Sequence, residues 1–159
     1  MIVVPDAGPL IYLAGAGQLH LLHRLYVRVV VPRVVHHEVV VAGAGLLGSA
    51  EVAQATWIEI ADEHPDVGLL SLLDAGEAAA IPLAERLGAA LLCDDADARS
   101  VARRRGLAVV GTLGVLVKAK REGALALVAP VIETMTNAGM FVAPRLLAEI
   151  LVAAGEAPT

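Results

Sequence analysis

Five short, largely apolar runs recur along the chain, Ile2–Val4, Val27–Val31, Trp57–Ile60, Ala89–Cys93 and Leu107–Val110, with helical segments between them. This alternation constrains the fold more than any other feature. A strand that is apolar on both faces needs cover on both, and a helix between successive strands supplies it, so the pattern predicts an α/β domain with a mostly parallel sheet. Pro9–Ala14 and Gln18–Leu25 read as two short helices around Gly15-Ala16-Gly17, and Val34–Ala42 as another. Gly76–Leu87 follows Asp74 as a helix, and Asp97–Arg105 is a helix closed by Gly106, a residue suited to that position. Leu113–Arg121, Leu125–Asn137 and Pro144–Ala153 complete the helical set, and Asp62–Leu73 is the one long connection. Pro82, inside a helix, removes a backbone hydrogen bond and predicts a kink.

A length of 159 residues fits one domain, expected over residues 1–155 with a short tail over 156–159. Hydrophobic residues make up 57 % of the chain but only Tyr12, Tyr26, Trp57 and Phe141 are aromatic, so the core is aliphatic. No uncharged apolar run approaches the ~18–20 residues that span a bilayer, which argues against a membrane protein. The mean hydropathy of +0.71 then points to an apolar face covered by another subunit. A homodimer or larger homo-oligomer is expected, with Pro9–Leu25 offering such a face. Met1 leads directly into Ile2-Val3-Val4 without a basic, then apolar, leader, which makes the cytoplasm the expected compartment. The lone cysteine, Cys93, excludes an internal disulfide and a cysteine-rich zinc site; its apolar neighbours suggest a buried strand thiol.

Ligands of open α/β sheets gather at the carboxyl ends of the strands. Asp6 follows the first strand, Asp94 and Asp95 follow the fourth, with Asp97 close behind, Glu38 lies in the helix after the second, and Glu77 opens the helix before the fourth. Carboxylates meeting in a partly dry cleft repel one another and take up protons or a cation. Oxygen donors favour Mg²⁺ or Mn²⁺, and such an ion both activates water and neutralises phosphate. Each residue also has a plainer reading: Asp6 as a helix cap, Glu77 as first-turn charge, Glu38 as a solvated face, and the aspartate cluster as capping.

The order of these motifs resembles the PIN-domain family. VVPDAGPLIYLAGAGQLHLL is similar to its first strand and helices, VVPRVVHHEV to the second strand and the helix bearing a glutamate, and L-D-x-G-E-A, L-L-x-D-D and G-T-L-G, as they stand from Leu73 to Gly114, to the branch related to VapC-type toxins. The resemblance spans Val3 to about Ile150. It implies a PIN-like doubly wound sandwich with a five-stranded mostly parallel sheet in the order 3-2-1-4-5 flanked by helices. It also implies a ribonuclease with Asp6, Glu38, Glu77 and Asp95 as catalytic, metal-binding carboxylates, Asp94 or Asp97 sharing the task, and RNA as substrate. A toxin of a type II toxin–antitoxin pair, partnered by an antitoxin protein, belongs to the same expectation. One departure counts against activity. Ala7 and Gly8 stand where the family commonly has a hydroxyl residue, which leaves Thr112 to fill that role or keeps open a PIN scaffold that has lost its chemistry and acts as an interaction module.

Although the net charge is −5, seven of the twelve basic residues lie between Arg99 and Arg121, a stretch without an acid. Arg99, Arg103, Lys118 and Lys120 are candidates to guide RNA; the alternative is a solvated face, and the scarcity of aromatics gives little support to base stacking. His36-His37-Glu38 lacks the H-E-x-x-H spacing of zincins, and His20 and His23 have no third ligand nearby. Gly43, Gly45 and Gly48 outline a dinucleotide-binding G-x-G-x-x-G with Asp62 at a suitable distance, a remote alternative that leaves Asp6, Glu77 and the aspartate cluster without a task. A haloacid dehalogenase type of phosphatase would need a second aspartate at Gly8.

Overall fold

Alternate residues of each central strand face opposite layers in the computed structural model, which describes residues 1–157. Val3, Val29, Val31 and Leu92 enter one apolar layer, while Val4, Val30, Leu91 and Cys93 enter the other. This is the two-sided burial that a parallel sheet requires. The strands are β1 (Ile2–Pro5), β2 (Arg28–Pro32), β3 (Ile58–Ala61), β4 (Ala90–Leu92) and β5 (Val109–Val110). They pair in parallel in the order β3-β2-β1-β4-β5, and the doubly wound α/β sandwich expected from the sequence is the fold.

Helices α1 (Ala7–Gly15), α2 (His20–Leu25), α3 (Arg33–His37) and α4 (Ser49–Gln54) accompany the first three strands, and α5 (Ala75–Leu87) and α6 (Ala96–Arg104) flank β4. After β5 come α7 (Thr112–Arg121), α8 (Ala129–Asn137) and α9 (Pro144–Ala153). The helix expected from Leu125 begins instead at Ala129, with Pro130 in its first turn, a position where the missing N–H costs nothing. The expected dimer face on Pro9–Leu25 is largely absorbed by the chain itself, since Leu10, Leu13, Leu19, Leu21 and Leu22 are all buried in the core.

The glycine motif has a structural explanation. The valine run before it is no strand: α3 continues as a π-helical turn over Glu38–Ala42, so the strand–loop–helix geometry of a dinucleotide site is missing. Gly43 closes the turn where a Cβ would lie 2.7 Å from Val39 O. Gly48, at φ 79°, lets the chain pass so close to α1 that a Cβ would meet Ile11 O at 2.8 Å. Pro82 is also explained. Lacking an N–H, it cannot donate to Ala78 O, and that freed carbonyl accepts instead from Asp66 N at 2.9 Å. The break in the α5 ladder thereby docks the long connection. The tail expected over 156–159 is tied down at its first residue, where Glu156 accepts from Val128 N, Ala129 N and Lys120 Nζ; residues 158 and 159 of that call lie outside the described residues.

Candidate metal centre

Because Pro5 is in register with Leu92 on the neighbouring strand, the residues that follow them emerge side by side. Asp6 occupies the N-cap position of α1, but its carboxylate makes no capping hydrogen bond. Its N–H donates to Leu92 O at 2.9 Å, fastening it to the end of β4. The α5 N-terminus approaches from the other side. Asp74 Oδ1 accepts from Glu77 N at 2.8 Å and Glu77 Oε1 from Asp74 N at 3.1 Å, a reciprocal capping box that fixes the Glu77 side chain. Gly76 permits the approach: a Cβ there would stand 3.1 Å from Asp6 Oδ1.

Asp6, Glu77 and Cys93 each bring a ligand-type atom to within 4.8 Å of the others. Glu77 is only 8 % exposed and Cys93 1 %. Burial raises Asp6 to about 7; the Ala7 backbone offsets this in part, and the charges of Asp74, Glu38 and Asp94 add to it. Glu77 is raised by burial and then by Asp6, Asp74 and Asp95, against the lowering effect of its bond to the Asp74 backbone. Glu38 is raised by burial and by Asp74. Burial, then the Asp6 charge, pushes the Cys93 thiol up, so it stays protonated and is a poor nucleophile.

Asp94 and Asp95 diverge at the mouth of this cluster. Asp94 Oδ1 accepts from Thr112 N at 2.8 Å and its Oδ2 from Thr112 Oγ1 at 2.5 Å, so the start of α7 orients it. Asp95 caps α6 by accepting from Ala98 N through Oδ2, and its Oδ1 makes no hydrogen bond among the described residues. Asp97 is exposed in the first turn of α6, whereas the charges acting on Asp6 and Glu77 come from the other named acids. Sequence reading missed Asp74 and Gly76, although both lie within the L-D-x-G-E-A motif.

The basic candidates separate. Arg99 Nη1 donates to Cys93 O at 2.8 Å, directly behind the acidic cluster, and Arg103 is exposed on α6. Lys118 Nζ lies 4.5 Å above the Tyr26 ring, and Lys120 is ion-paired with Glu156 at 2.8 Å.

A cluster in which the half-buried Asp6 and the buried Glu77 are both raised to about 7 is a site short of positive charge. Its donors are predominantly carboxylate oxygens, the set a hard divalent ion takes, so the residues fit such an ion. A parallel α/β domain carrying that cluster at adjoining strand ends is a nuclease-like scaffold. A family model described as DUF3368, PIN domain, matches residues 2–156, and the chain belongs to the PIN-domain family. PIN domains are generally nucleases and usually use a divalent metal. A comparison with curated proteins finds no match. Among solved structures, a PilT N-terminus domain protein from the hyperthermophilic archaeon Sulfolobus solfataricus is similar, with 16 % identity over 90 % of this chain and 98 % of that one and a TM-score of 0.49. Among the described residues, no helix is long and apolar enough to cross a membrane.

Proposed function

We propose that the protein is a metal-dependent endoribonuclease. The observation that carries this reading is the Asp6–Glu77 pair, a half-buried carboxyl group at the end of β1 and a buried one at the start of α5, brought together with their affinity for protons raised. Such a pair favours a cation strongly once the ion is available. Asp6 and Glu77 would hold Mg²⁺ or Mn²⁺, with Asp94, Asp95 and Glu38 around them and Asp97 outermost. When bound, the ion supplies Lewis acidity to the scissile phosphate and eases deprotonation of the attacking water.

The chain's own groups then have distinct tasks. Thr112 holds Asp94 in one orientation through its N–H and its hydroxyl, the kind of support expected to compensate for Ala7-Gly8. Asp95, with only its Oδ2 spent on capping α6, would accept a proton from water. Water would add to phosphorus as it gives up its proton, the P–O3′ bond would break, and the departing 3′-oxygen would take a proton from solvent, leaving a 3′-hydroxyl and a 5′-phosphate. Arg99 and Arg103 remain available for the RNA backbone, whereas Lys118 and Lys120 are engaged elsewhere in the fold.

By the resemblance of its motifs, we further read the chain as a VapC-type toxin of a type II pair, acting in the cytoplasm, covered by an antitoxin and self-associating as a homodimer. The test of the central reading is cleavage of single-stranded RNA with Mn²⁺ or Mg²⁺. Asp6→Asn and Glu77→Gln are expected to lower the rate at least a hundredfold while keeping a cooperative thermal transition. A parent protein inert towards RNA at millimolar Mn²⁺ would leave the inactive interaction module as the better account.

A further inference from the structure

Beside the acidic cluster, and sharing Asp94 with it, lies a cleft of about 410 Å³. It is lined by the polar Asp94 and Arg99 with Gly111, and by the apolar Met140, Phe141 and Leu146 from the α8–α9 connection and α9. Phe141 is 84 % exposed, in a chain with three other aromatic side chains to draw on. Arg99 is held by one nitrogen only: Nη1 is fixed on Cys93 O, and among the described residues its Nε and Nη2 make no hydrogen bond. Asp94 Oδ1 and Arg99 Nη1 each come within 3.0 Å of the point a Gly111 Cβ would occupy, yet they form no ion pair. The guanidinium is therefore oriented, with donors to spare, at the edge of a site proposed to handle phosphate.

We propose that this cleft is a nucleotide subsite, in which an unpaired base of single-stranded RNA stacks on Phe141 while Arg99 binds the adjoining phosphate. The inference rests on the ribonuclease reading and names how its substrate is held. Two properties of the cleft favour this occupant over an apolar peptide. The cleft is lined by the Arg99 guanidinium, whose unengaged donors suit phosphate oxygens beside the Asp94 carboxylate, and by the exposed Phe141 side chain, an aromatic ring on which any base can stack. A base stacked on Phe141 must be unpaired, which selects single strands, since a paired base cannot leave its helix to enter.

The test compares a short single-stranded RNA with the same strand made abasic, by fluorescence anisotropy in Ca²⁺. Phe141→Ala is expected to weaken binding of the intact strand about tenfold, to leave the abasic strand nearly unaffected, and to raise KM for cleavage more than it lowers kcat. Phe141→Tyr should restore the affinity, and Arg99→Gln should weaken both strands. Equal affinities of parent and Phe141→Ala for the intact strand, in a parent that does cleave RNA, overturn the subsite and leave the ribonuclease reading standing. The subsite also falls if Phe141→Ala turns a dimer into a monomer without changing RNA affinity, because the face is then a contact between copies. A parent that neither binds nor cleaves RNA overturns both readings together.

Discussion

Asp6 meets opposing demands in the metal-free protein, because folding buries a carboxylate that water would keep ionised. Its value in the fold, about 7, stands above the ordinary 3.8, so the native state holds this proton more tightly than the unfolded chain does. The associated stability is fully present below about pH 4 and is lost as pH rises through about 7. Without divalent ions, the melting temperature should therefore fall across that window. Asp6→Asn, which removes the charge but keeps the size, should flatten the fall and raise the melting temperature near pH 8. Mn²⁺ should reverse the order by stabilising the parent, which it binds only when folded, and leave Asp6→Asn nearly unmoved. Thermal melts with and without EDTA settle the point; an Asp6→Asn variant with the parent's pH slope would place the strained charge elsewhere.

Among the elements, the last described turn does unexpected structural service. Glu156 sits where two backbone N–H groups at the start of α8 and the Lys120 ammonium on α7 converge. The Lys120 hydrogen bond, with the two backbone donors, holds its carboxylate down to about 2, below the usual 4.5. That contribution is present above about pH 4.5 and is lost as pH falls towards about 2. Glu156→Ala leaves two N–H groups short of a partner and should cost about 2 kcal/mol, a drop of about 4–8 °C for a domain of this size, measurable by calorimetry at neutral pH and much reduced near pH 2. The sequence disclosed the regular parts of the architecture, because strand runs and caps are local: Asp74 before α5, Gly106 after α6, the prolines ending β1 and β2. It disclosed most of the acidic site for the same reason, as motifs at strand ends. Glu156, the π-helical turn after α3 and the Asp66–Ala78 bond are set by groups far apart in sequence, so no local pattern announces them. Asp74 was hidden differently. Its place just before α5 was evident, and only the packing of α5 against Asp6 adds its charge to the site.

For the molecule as a whole, composition and surface tell different stories. The accessible surface of 7828 Å² is close to the ~7,500 Å² expected for a folded monomer of this mass, so the chain is as compact as a monomer, with an aliphatic interior and some large apolar side chains left outside. The apolar residues left outside include Val41, Leu46 and Leu47 around the glycine turn, and the proposed homodimer is better placed there than on α1 and α2. Light scattering at micromolar concentration should give a dimer, and Leu46→Glu with Val41→Glu should give a monomer that still melts cooperatively; a monomeric parent removes the dimer from the proposal. The two open borders of the sheet bear on the same question. Arg28 pairs with Glu59 across β2 and β3, Arg33 pairs with Asp62 just past their ends, and β5 on the far side is two residues long. A border that is charged, and another too short to template a partner, resist the strand-to-strand stacking that leads to fibrils. The valine- and leucine-rich strands of this chain thus meet solvent only at borders unsuited to adding another strand, which leaves helix and turn surfaces as the places for any self-association to be sought.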